Sequence, residues 1–372
     1  MNRSIATPRT VRRWGLAVAA LLCSLGGPVG GAFSAPLDVH MQMSEDSVTV
    51  YQLPAGSRPH VLTAGVDGAV WFSMAGGRCL QGSGNKIGRI AFDGRITEYP
   101  LPTADSYPGA IAVGPDRALW FGERSANRIG RMTLDGHVME YAVPTAVTVT
   151  LPDGFAQGVE CSRQSSYPAE GGIASGPDGA LWFTEGQGNQ IGRIGLDGHV
   201  SEYPLPAANS NPIGIDLGAD RALWFIERMA NRVGRITTDG DLAEYAIPTP
   251  DSFPNAIVAG PDGNLWFTEL KGDNIGRITL DGEITEYRTP GLGPVGLAVG
   301  PDGALWSAGF TGNEVVRITT DGTITDRYVV AIPEGTPGLC CGVAVTSDGS
   351  VWFTATEASL IGRVQLQRAS VR

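Results

Sequence analysis

The sequence predicts an all-β protein, a seven-bladed β-propeller of four-stranded antiparallel blades. Seven of the eight tryptophans follow one another at intervals of 49, 62, 42, 42, 40 and 46 residues, and they are Trp71, Trp120, Trp182, Trp224, Trp266, Trp306 and Trp352. A period near 42 is typical of propellers, in which one repeat forms one blade of four short strands. Two recurring turn motifs and an incomplete last repeat, described next, support the same fold.

The clearest repeat is residues 255–290, NAIVAGPDGNLWFTELKGDNIGRITLDGEITEYRTP. It contains four short apolar or alternating runs, AIVAG, NLWFTE, NIGRIT and EITEYRT. The first two runs flank PDG, and the last two flank LDG. Asp-Gly tolerates the positive φ of tight hairpins, so both motifs predict turns between antiparallel strands.

The last repeat, GVAVTSDGSVWFTATEASLIGRVQLQ, lacks an outer strand. The missing pattern stands near the N-terminus, where DSVTVYQLPAGS matches outer strands such as GEITEYRTPG. We therefore expect the ring to close by pairing of residues 48–53 with residues 360–366. Such closure removes an exposed sheet edge, which is a site of aggregation.

The N-terminal segment has the features of an export signal. Residues 1–34 contain four arginines, no acidic residue and an apolar run too short to span a membrane. We expect a signal peptide over 1–34, a leader over 35–47 and the propeller over 48–372, without a transmembrane span. The mature chain is then expected to be secreted, periplasmic or held in the cell envelope.

The predicted mature chain is strongly acidic. Removal of the signal peptide leaves 23 basic and 38 acidic residues, a net charge of −15. Such a charge disfavours nucleic acid as a partner. We expect a monomer that recognises a small molecule or a cell-envelope ligand.

Four cysteines remain after the signal peptide, and they are Cys79, Cys161, Cys340 and Cys341. An even number in an exported chain makes disulfides plausible, and four cysteines allow three pairings. Their loops are all predicted at one face of the ring, where disulfides would brace a pocket. The alternative is a bridge between the adjacent Cys340 and Cys341.

Repeated polar residues are expected to serve the scaffold. Glutamates end the second strand in four blades, arginines recur in every third strand, and asparagines precede that strand at Asn85, Asn127, Asn189, Asn231, Asn274 and Asn313. We expect these glutamates, arginines and asparagines to tie each blade to its neighbour through hydrogen bonds and ion pairs. Glutamates such as Glu185 and Glu269 are alternatively candidates for a divalent cation site, since magnesium and calcium prefer oxygen ligands.

A ligand site is expected where the repeat is broken. The residue after the leading proline of each inner strand varies round the ring, and in blade 1 it is His60. Histidine titrates near neutral pH and can act as a general base. The alternative is a histidine bonded to a neighbouring loop. Expected substrate-binding residues on the same face are Arg58, Asn255, Arg124 and Arg228.

The phrases GPDGALWFTEGQGNQIGRI and DGEITEYRTP resemble the virginiamycin B lyase (streptogramin lyase) family, over nearly all of residues 48–367. The resemblance implies a seven-bladed propeller that opens the ester linkage of a cyclic depsipeptide by elimination. It further implies a histidine base and a magnesium ion held by glutamates. Such an activity implies a role in antibiotic resistance.

The chain departs from the family pattern at the histidines, one of which is the expected general base. The family's histidines stand in R-P-H-A-I and E-P-H-G-I at the last two blades, where this chain has Val295 and Cys341. The phrase RPHVL occurs instead in blade 1, so His60 is the candidate catalytic residue. Glu170, Glu185 and Glu269 are the candidate magnesium ligands, and Glu357 is a further carboxylate near the expected site.

Three functions follow from these observations. The first is a metal-assisted carbon–oxygen lyase acting on a cyclic depsipeptide or related ester, with His60 as its base. The second is a non-catalytic propeller that binds a ligand or protein in the cell envelope. The third, a lactonase-type hydrolase, requires a carboxylate-rich calcium site near the axis.

Overall fold

The structure, a computed structural model, describes residues 9–10, 47–74, 85–144, 171–340 and 342–366. These residues form 29 β-strands and no helix, which confirms the predicted all-β class. The strands build seven antiparallel sheets arranged in a ring. Within these ranges, no helix has the length and apolar character needed to cross a membrane.

The strands of each blade follow one another in the chain. The N-terminal strands are β1 (Arg9–Thr10) and β2 (Ser47–Gln52). Blade 1 consists of β3 (Pro59–Ala64), β4 (Val70–Met74), β5 (Lys86–Ile90) and β6 (Ile96–Pro100). Blade 2 consists of β7 (Pro108–Val113), β8 (Leu119–Glu123), β9 (Arg128–Met132) and β10 (Val138–Ala142). Blade 3 consists of β11 (Ile173–Ser175), β12 (Leu181–Glu185), β13 (Gln190–Ile194) and β14 (Val200–Pro204).

The remaining blades repeat this order. Blade 4 consists of β15 (Pro212–Leu217), β16 (Leu223–Glu227), β17 (Arg232–Ile236) and β18 (Leu242–Ala246). Blade 5 consists of β19 (Pro254–Ala259), β20 (Leu265–Glu269), β21 (Asn274–Ile278) and β22 (Ile284–Arg288). Blade 6 consists of β23 (Pro294–Val299), β24 (Leu305–Gly309), β25 (Glu314–Ile318) and β26 (Ile324–Val329). Blade 7 takes β27 (Val343–Val345), β28 (Val351–Ala355) and β29 (Leu360–Gln365).

The ring closes as the sequence predicts. Strand β2 supplies the outer strand of blade 7 by antiparallel pairing with β29, from Ser47 opposite Gln365 to Gln52 opposite Leu360. The two-residue β1 pairs along the other side of β2. Inner strands of neighbouring blades contact one another in a cycle that returns from β27 to β3. The predicted signal peptide and leader contribute only β1 and Ser47 to the described residues, so their boundaries stay predictions.

The tryptophans form the centre of each blade. All seven are at most 1% exposed. Each packs beside a tyrosine of the outer strand of its own blade, as Trp182 does with Tyr203 at 5.4 Å between ring centroids. The glycine of the second turn then packs on the tyrosine of the preceding blade: a Cβ on Gly136 would lie 2.5 Å from the Tyr99 ring, and its φ is 92°. Both the space and the backbone angle therefore require glycine there.

The repeated arginines act mainly within a blade, so the expectation that they join neighbouring blades is wrong for most of them. In blade 5, Asp262 accepts a hydrogen bond from Trp266 Nε1 at 3.0 Å and one from Arg277 Nε at 2.7 Å. The first turn is thereby fixed to the second and third strands. Arg363 is different, because its Nη1 donates to the carbonyl of Phe92 in blade 1. The sequence does not distinguish an arginine that bonds within its own blade from one that bonds to the next, because both occur at the same position of the third strand.

A left-handed residue precedes the third strand in every blade. These residues have φ between 50° and 62°, and they are Asn85, Asn127, Asn189, Asn231, Asp273, Asn313 and Ser359. The prediction of Asn274 for blade 5 is therefore displaced by one residue. Asparagine and aspartate tolerate the left-handed region better than other side chains, which explains the repeated residue type.

Candidate functional site

The leading prolines and the ends of the second strands lie at one end of the ring. In blades 1, 2, 4, 5 and 6 the leading proline is opposite the last residue of the second strand, as in Pro59 with Met74 and Pro254 with Glu269. The sequence predicted this shared face. We call it the rim, and define it by the leading prolines, the strand ends opposite them and the residues that directly flank either.

The rim backbone is irregular in a way that repeats. A register shift follows the leading proline in blades 1, 2, 4, 5 and 6. The residue before that proline has φ between 46° and 56°, and the five are Arg58, Tyr107, Asn211, Phe253 and Gly293. Bulges turn side chains away from their regular strand directions. Because this irregularity recurs in five blades, it belongs to the scaffold.

His60 lies at the rim, and its side chain is enclosed. The residue is 3% exposed. Its carbonyl accepts a hydrogen bond from Thr354 Oγ1 at 2.8 Å, and the carbonyl of Pro59 accepts one from Thr356 Oγ1 at 2.7 Å. Blade 7 thus fixes the start of blade 1 across the ring closure. Among the described residues the other histidines are His137 and His199, which are exposed near the outer turns as predicted.

Arg58 and Glu357 form an ion pair next to His60. The Arg58 side chain is 17% exposed and that of Glu357 is 42% exposed. A carboxylate that already binds a guanidinium is poorly suited to a metal ion, because the cation would displace an arginine. Glu357 therefore contributes to closure of the rim between blades 7 and 1.

Arg228 and Asn255 connect three blades. Arg228 Nη2 donates to Asn255 Oδ1, and Asn255 Nδ2 donates to the carbonyl of Val295 at 3.0 Å. Both side chains are buried, at 4% and 8% exposure. Their mutual contact confirms that they are neighbours on the rim. Their role in substrate binding stays a prediction.

Aromatic residues at the rim were not predicted. The Arg228 guanidinium lies 4.9 Å from the centroid of Phe253, and Lys271 Nζ lies 4.8 Å from it. Arg124 lies 5.7 Å from the ring of Tyr107 in the same arrangement. The repeated phrases DSYP and DSFP are the sequence signal for these aromatic residues. Such pairs give the rim flat apolar surfaces beside positive charge.

The candidate magnesium ligands serve separate blades. Gln190 Nε2 donates to Glu185 Oε2 at 3.0 Å within blade 3. Glu269 is fully buried in blade 5, and burial raises its pKa to about 7, as it does for Glu185. In the part of the chain that the structure describes, no three acidic, histidine or cysteine side chains converge on a metal position. Glu170 lies outside the described residues, and the two described candidates, Glu185 and Glu269, lie in different blades.

Cys340 is the only cysteine among the residues that the structure describes. This residue is disulfide-bonded, and its partner lies outside the described residues. Cys79, Cys161 and Cys341 all fall there, so the choice between a loop-bracing bridge and an adjacent bridge stays open.

The fold and sequence match known proteins. The model of the virginiamycin B lyase family matches residues 39–162 and 156–371. Virginiamycin B lyase of Nocardia farcinica is 37% identical over 167 residues, which are 45% of this chain and 47% of that protein. The chain spans less than half the length of the curated relatives it matches.

Solved structures match over more of the chain. A streptogramin B lyase structure has a TM-score of 0.73 at 36% identity and covers 86% of this chain and 97% of its own. A catalytically inactive histidine-to-alanine variant of virginiamycin B lyase from Staphylococcus aureus, with quinupristin, has a TM-score of 0.72 at 36% identity, covering 87% of this chain and all of its own. With a propeller of seven blades and a family match along almost the whole length, the chain belongs to the virginiamycin B lyase family.

Proposed function

We propose that this chain is a lyase-like propeller that opens a cyclic depsipeptide or related ester at the rim. Support comes from its family and from 36% identity to a streptogramin B lyase structure over 97% of that chain. The single observation that carries the assignment to the rim is His60. It is the histidine of the described residues that lies at the strand ends rather than on an outer turn.

In the proposed step His60 acts as the general base. A neutral imidazole nitrogen takes the proton from the carbon next to a carbonyl. The electron pair of that C–H bond forms a carbon–carbon double bond, and the ester C–O bond breaks with its electron pair leaving on the carboxylate. Histidine is the side chain that most often carries out such proton transfers. Arg58, Arg124 and Arg228 are the proposed contacts for the polar groups of the substrate.

The proposed step does not involve magnesium. The resemblance implies the ion, but Glu185 is bonded to Gln190 and Glu269 belongs to another blade. We derive no role for these carboxylates in stabilising an enolate. Export through a cleaved signal peptide remains part of the proposal, and N-terminal sequencing of the mature protein tests it.

The test is incubation of the full chain with quinupristin, followed by mass spectrometry of the product. Elimination gives a linear product with the mass of the substrate, whereas hydrolysis adds the mass of one water. His60→Ala is expected to lower turnover by at least about 100-fold, the usual contribution of a general base. His137→Ala is the matched control and should retain full activity.

A second candidate function is non-catalytic binding at the rim. It is favoured by the 3% exposure of His60, because a base must reach its substrate. Binding of quinupristin without turnover, with equal affinity in wild type and in His60→Ala, would support this candidate. Neither binding nor turnover with any cyclic ester would reject both functions.

A further inference from the structure

Blade 5 carries a pair of carboxylates, Glu269 buried and Glu286 half-buried, and neither forms an ion pair with a described Lys or Arg. Glu269 ends the second strand, and Glu286 lies opposite Gly276 on the outer strand. The two carboxylates are close enough that Glu286 adds to the rise in the pKa of Glu269, after burial as the larger cause. Two anions in a buried setting need a positive charge or a proton nearby.

Other blades supply that positive charge from the first residue of the third strand. In blade 1, Lys86 Nζ lies 2.7 Å from Glu98 Oε2, and in blade 2, Arg128 Nη1 lies 2.9 Å from Glu140 Oε2. In blade 4, Arg232 pairs with Glu244 in the same manner. In blade 5 the equivalent residue is the neutral Asn274. Blade 3 also has a neutral residue, but its Gln190 donates directly to Glu185.

Glu269, Asn274 and Glu286 lie on three neighbouring strands of blade 5, with Glu269 directly opposite Asn274. Glu269 is 0% and Asn274 is 2% exposed, and Oδ1 of Asn274 has no hydrogen-bond partner among the described residues. The Asn274 side chain lies close enough to Glu269 to oppose the rise in its pKa. The Ser252 hydroxyl lies beside Glu269. Thr249 holds Glu286 in place by donating its N–H at 2.8 Å and its hydroxyl at 2.9 Å to the two carboxylate oxygens.

We propose that Glu269, Glu286 and Asn274 bind a calcium ion inside blade 5. Carboxylate, amide and hydroxyl oxygens are the ligands that calcium takes, and its coordination tolerates irregular geometry better than that of magnesium. The two positive charges match the formal charge of the pair. The site differs from the magnesium set expected from the sequence, because all its ligands come from a single blade. It is independent of the proposed lyase activity.

The test compares the thermal stability of EDTA-treated protein with and without calcium at pH 8, where protons compete least. Saturating calcium should raise the melting temperature of the wild type by about 4 °C or more, since a ligand that binds only the native state stabilises it. Asn274→Arg reproduces the arrangement of blades 2 and 4, and it should remove this response while the protein stays folded. Calorimetric titration should give one calcium site in the wild type and none in Asn274→Arg.

Arg232→Asn is the reverse experiment, because it gives blade 4 two carboxylates and an amide at the positions of the three ligands proposed for blade 5. It should raise the number of calcium sites from one to two. A wild type that does not respond to calcium at pH 8, or an Asn274→Arg variant that responds as the wild type does, would overturn the proposal. A carboxylate pair neutralised by a shared proton would give the first of these results.

Discussion

Tyr51 of the N-terminal strand stacks on Trp352 of blade 7, with the ring centroids 5.8 Å apart and the planes 20° from parallel. The same pair occurs inside blade 3, where Trp182 and Tyr203 belong to neighbouring parts of the chain. In blade 7 the two rings come from the N-terminal and C-terminal parts of the chain, 301 residues apart. Their contact therefore contributes to ring closure as well as to the core of one blade.

Tyr51→Ala should lower the free energy of unfolding by about 3 kcal/mol or more, because it removes a buried aromatic side chain and a stacked pair. Tyr51 is 3% exposed, so little of its surface is available to water. Urea denaturation measures the loss. Tyr51→Phe keeps the ring and should cost less than about 1 kcal/mol. Equal stability of wild type and Tyr51→Ala would contradict closure through β2.

Two arginines occupy left-handed positions that favour glycine. Arg117 and Arg221 have φ of 64° and 63° in the first turns of blades 2 and 4, where blade 3 has Gly179 with φ of 77°. A left-handed residue with a side chain costs about 1–2 kcal/mol. Replacing the arginine with glycine removes this cost, but glycine also makes the unfolded chain more flexible, which offsets part of the stability gained. Arg117→Gly should therefore raise the free energy of unfolding by about 0.5–1 kcal/mol in urea denaturation.

Gly179→Arg is the matched control for this prediction. No atom lies within 4 Å of a Cβ built on Gly179, so the substitution meets no steric obstacle and only the backbone angle matters. It should destabilise the protein by about the amount that Arg117→Gly gains. The reverse result, a loss of stability in Arg117→Gly and a gain in Gly179→Arg, would show that charge and not backbone strain decides the outcome, because the chain is acidic.

The buried glutamates predict lower stability at alkaline pH. Burial raises the pKa of Glu227 from 4.5 to about 7, and the nearby Glu244 adds to the rise. The folded protein then binds more protons than the unfolded chain between these values. The stability that Glu227 contributes is complete below pH 4.5 and is lost as the pH rises through about 7.

Urea denaturation at pH 5.5 and pH 8.5 measures this effect. Glu227→Gln removes the titration, so its free energy of unfolding should fall less between the two values, by on the order of 1–3 kcal/mol. Glu283→Gln, on an exposed turn, should leave the difference unchanged. The same fall in wild type and Glu227→Gln would assign the pH dependence to other groups.

The blade count and the ring closure could be predicted from the sequence because both depend on residues that recur. Trp, Asp-Gly and the outer-strand pattern repeat with the blade, so each repeat supports the assignment of the others. Asn274 shows the limit of this reasoning. In each blade a residue of positive φ precedes the third strand, and in blade 5 this residue is Asp273. Asn274 has the residue type found at this position in the other blades, but it lies one residue later.

The rim could be predicted only in part. The position of His60 at a strand end follows from the leading proline, but its burial does not. That burial depends on neighbours such as Thr354, which is 294 residues away and reaches His60 only because the ring closes. The pairing of Arg58 with Glu357 has the same origin. Contacts across the closure have no local sequence pattern, whereas contacts within a blade repeat.

The Trp–Asp–Arg arrangement predicts unequal effects of the same substitution in two blades. In blade 5, Asp262 binds both the Trp266 indole and Arg277, and these bonds lower its pKa to about 2 against the opposing effect of burial. In blade 6, Asp302 binds Arg317 at 2.7 Å, while Trp306 Nε1 has no hydrogen-bond partner among the described residues. Asp262→Ala therefore leaves one more buried donor without a partner than Asp302→Ala does.

Asp262→Ala should cost about 1–2 kcal/mol more than Asp302→Ala at pH 7, which is the usual cost of an unsatisfied buried donor. The difference should shrink in acid. The folded pKa of Asp262 lies below the ordinary value of 3.8, so its contribution is complete above that value and is lost as the pH falls through about 2. Urea denaturation of both variants at pH 7 and pH 3 measures this. Equal losses at pH 7 would mean that the indole bond does not stabilise the blade, and that the aspartate acts through its arginine alone.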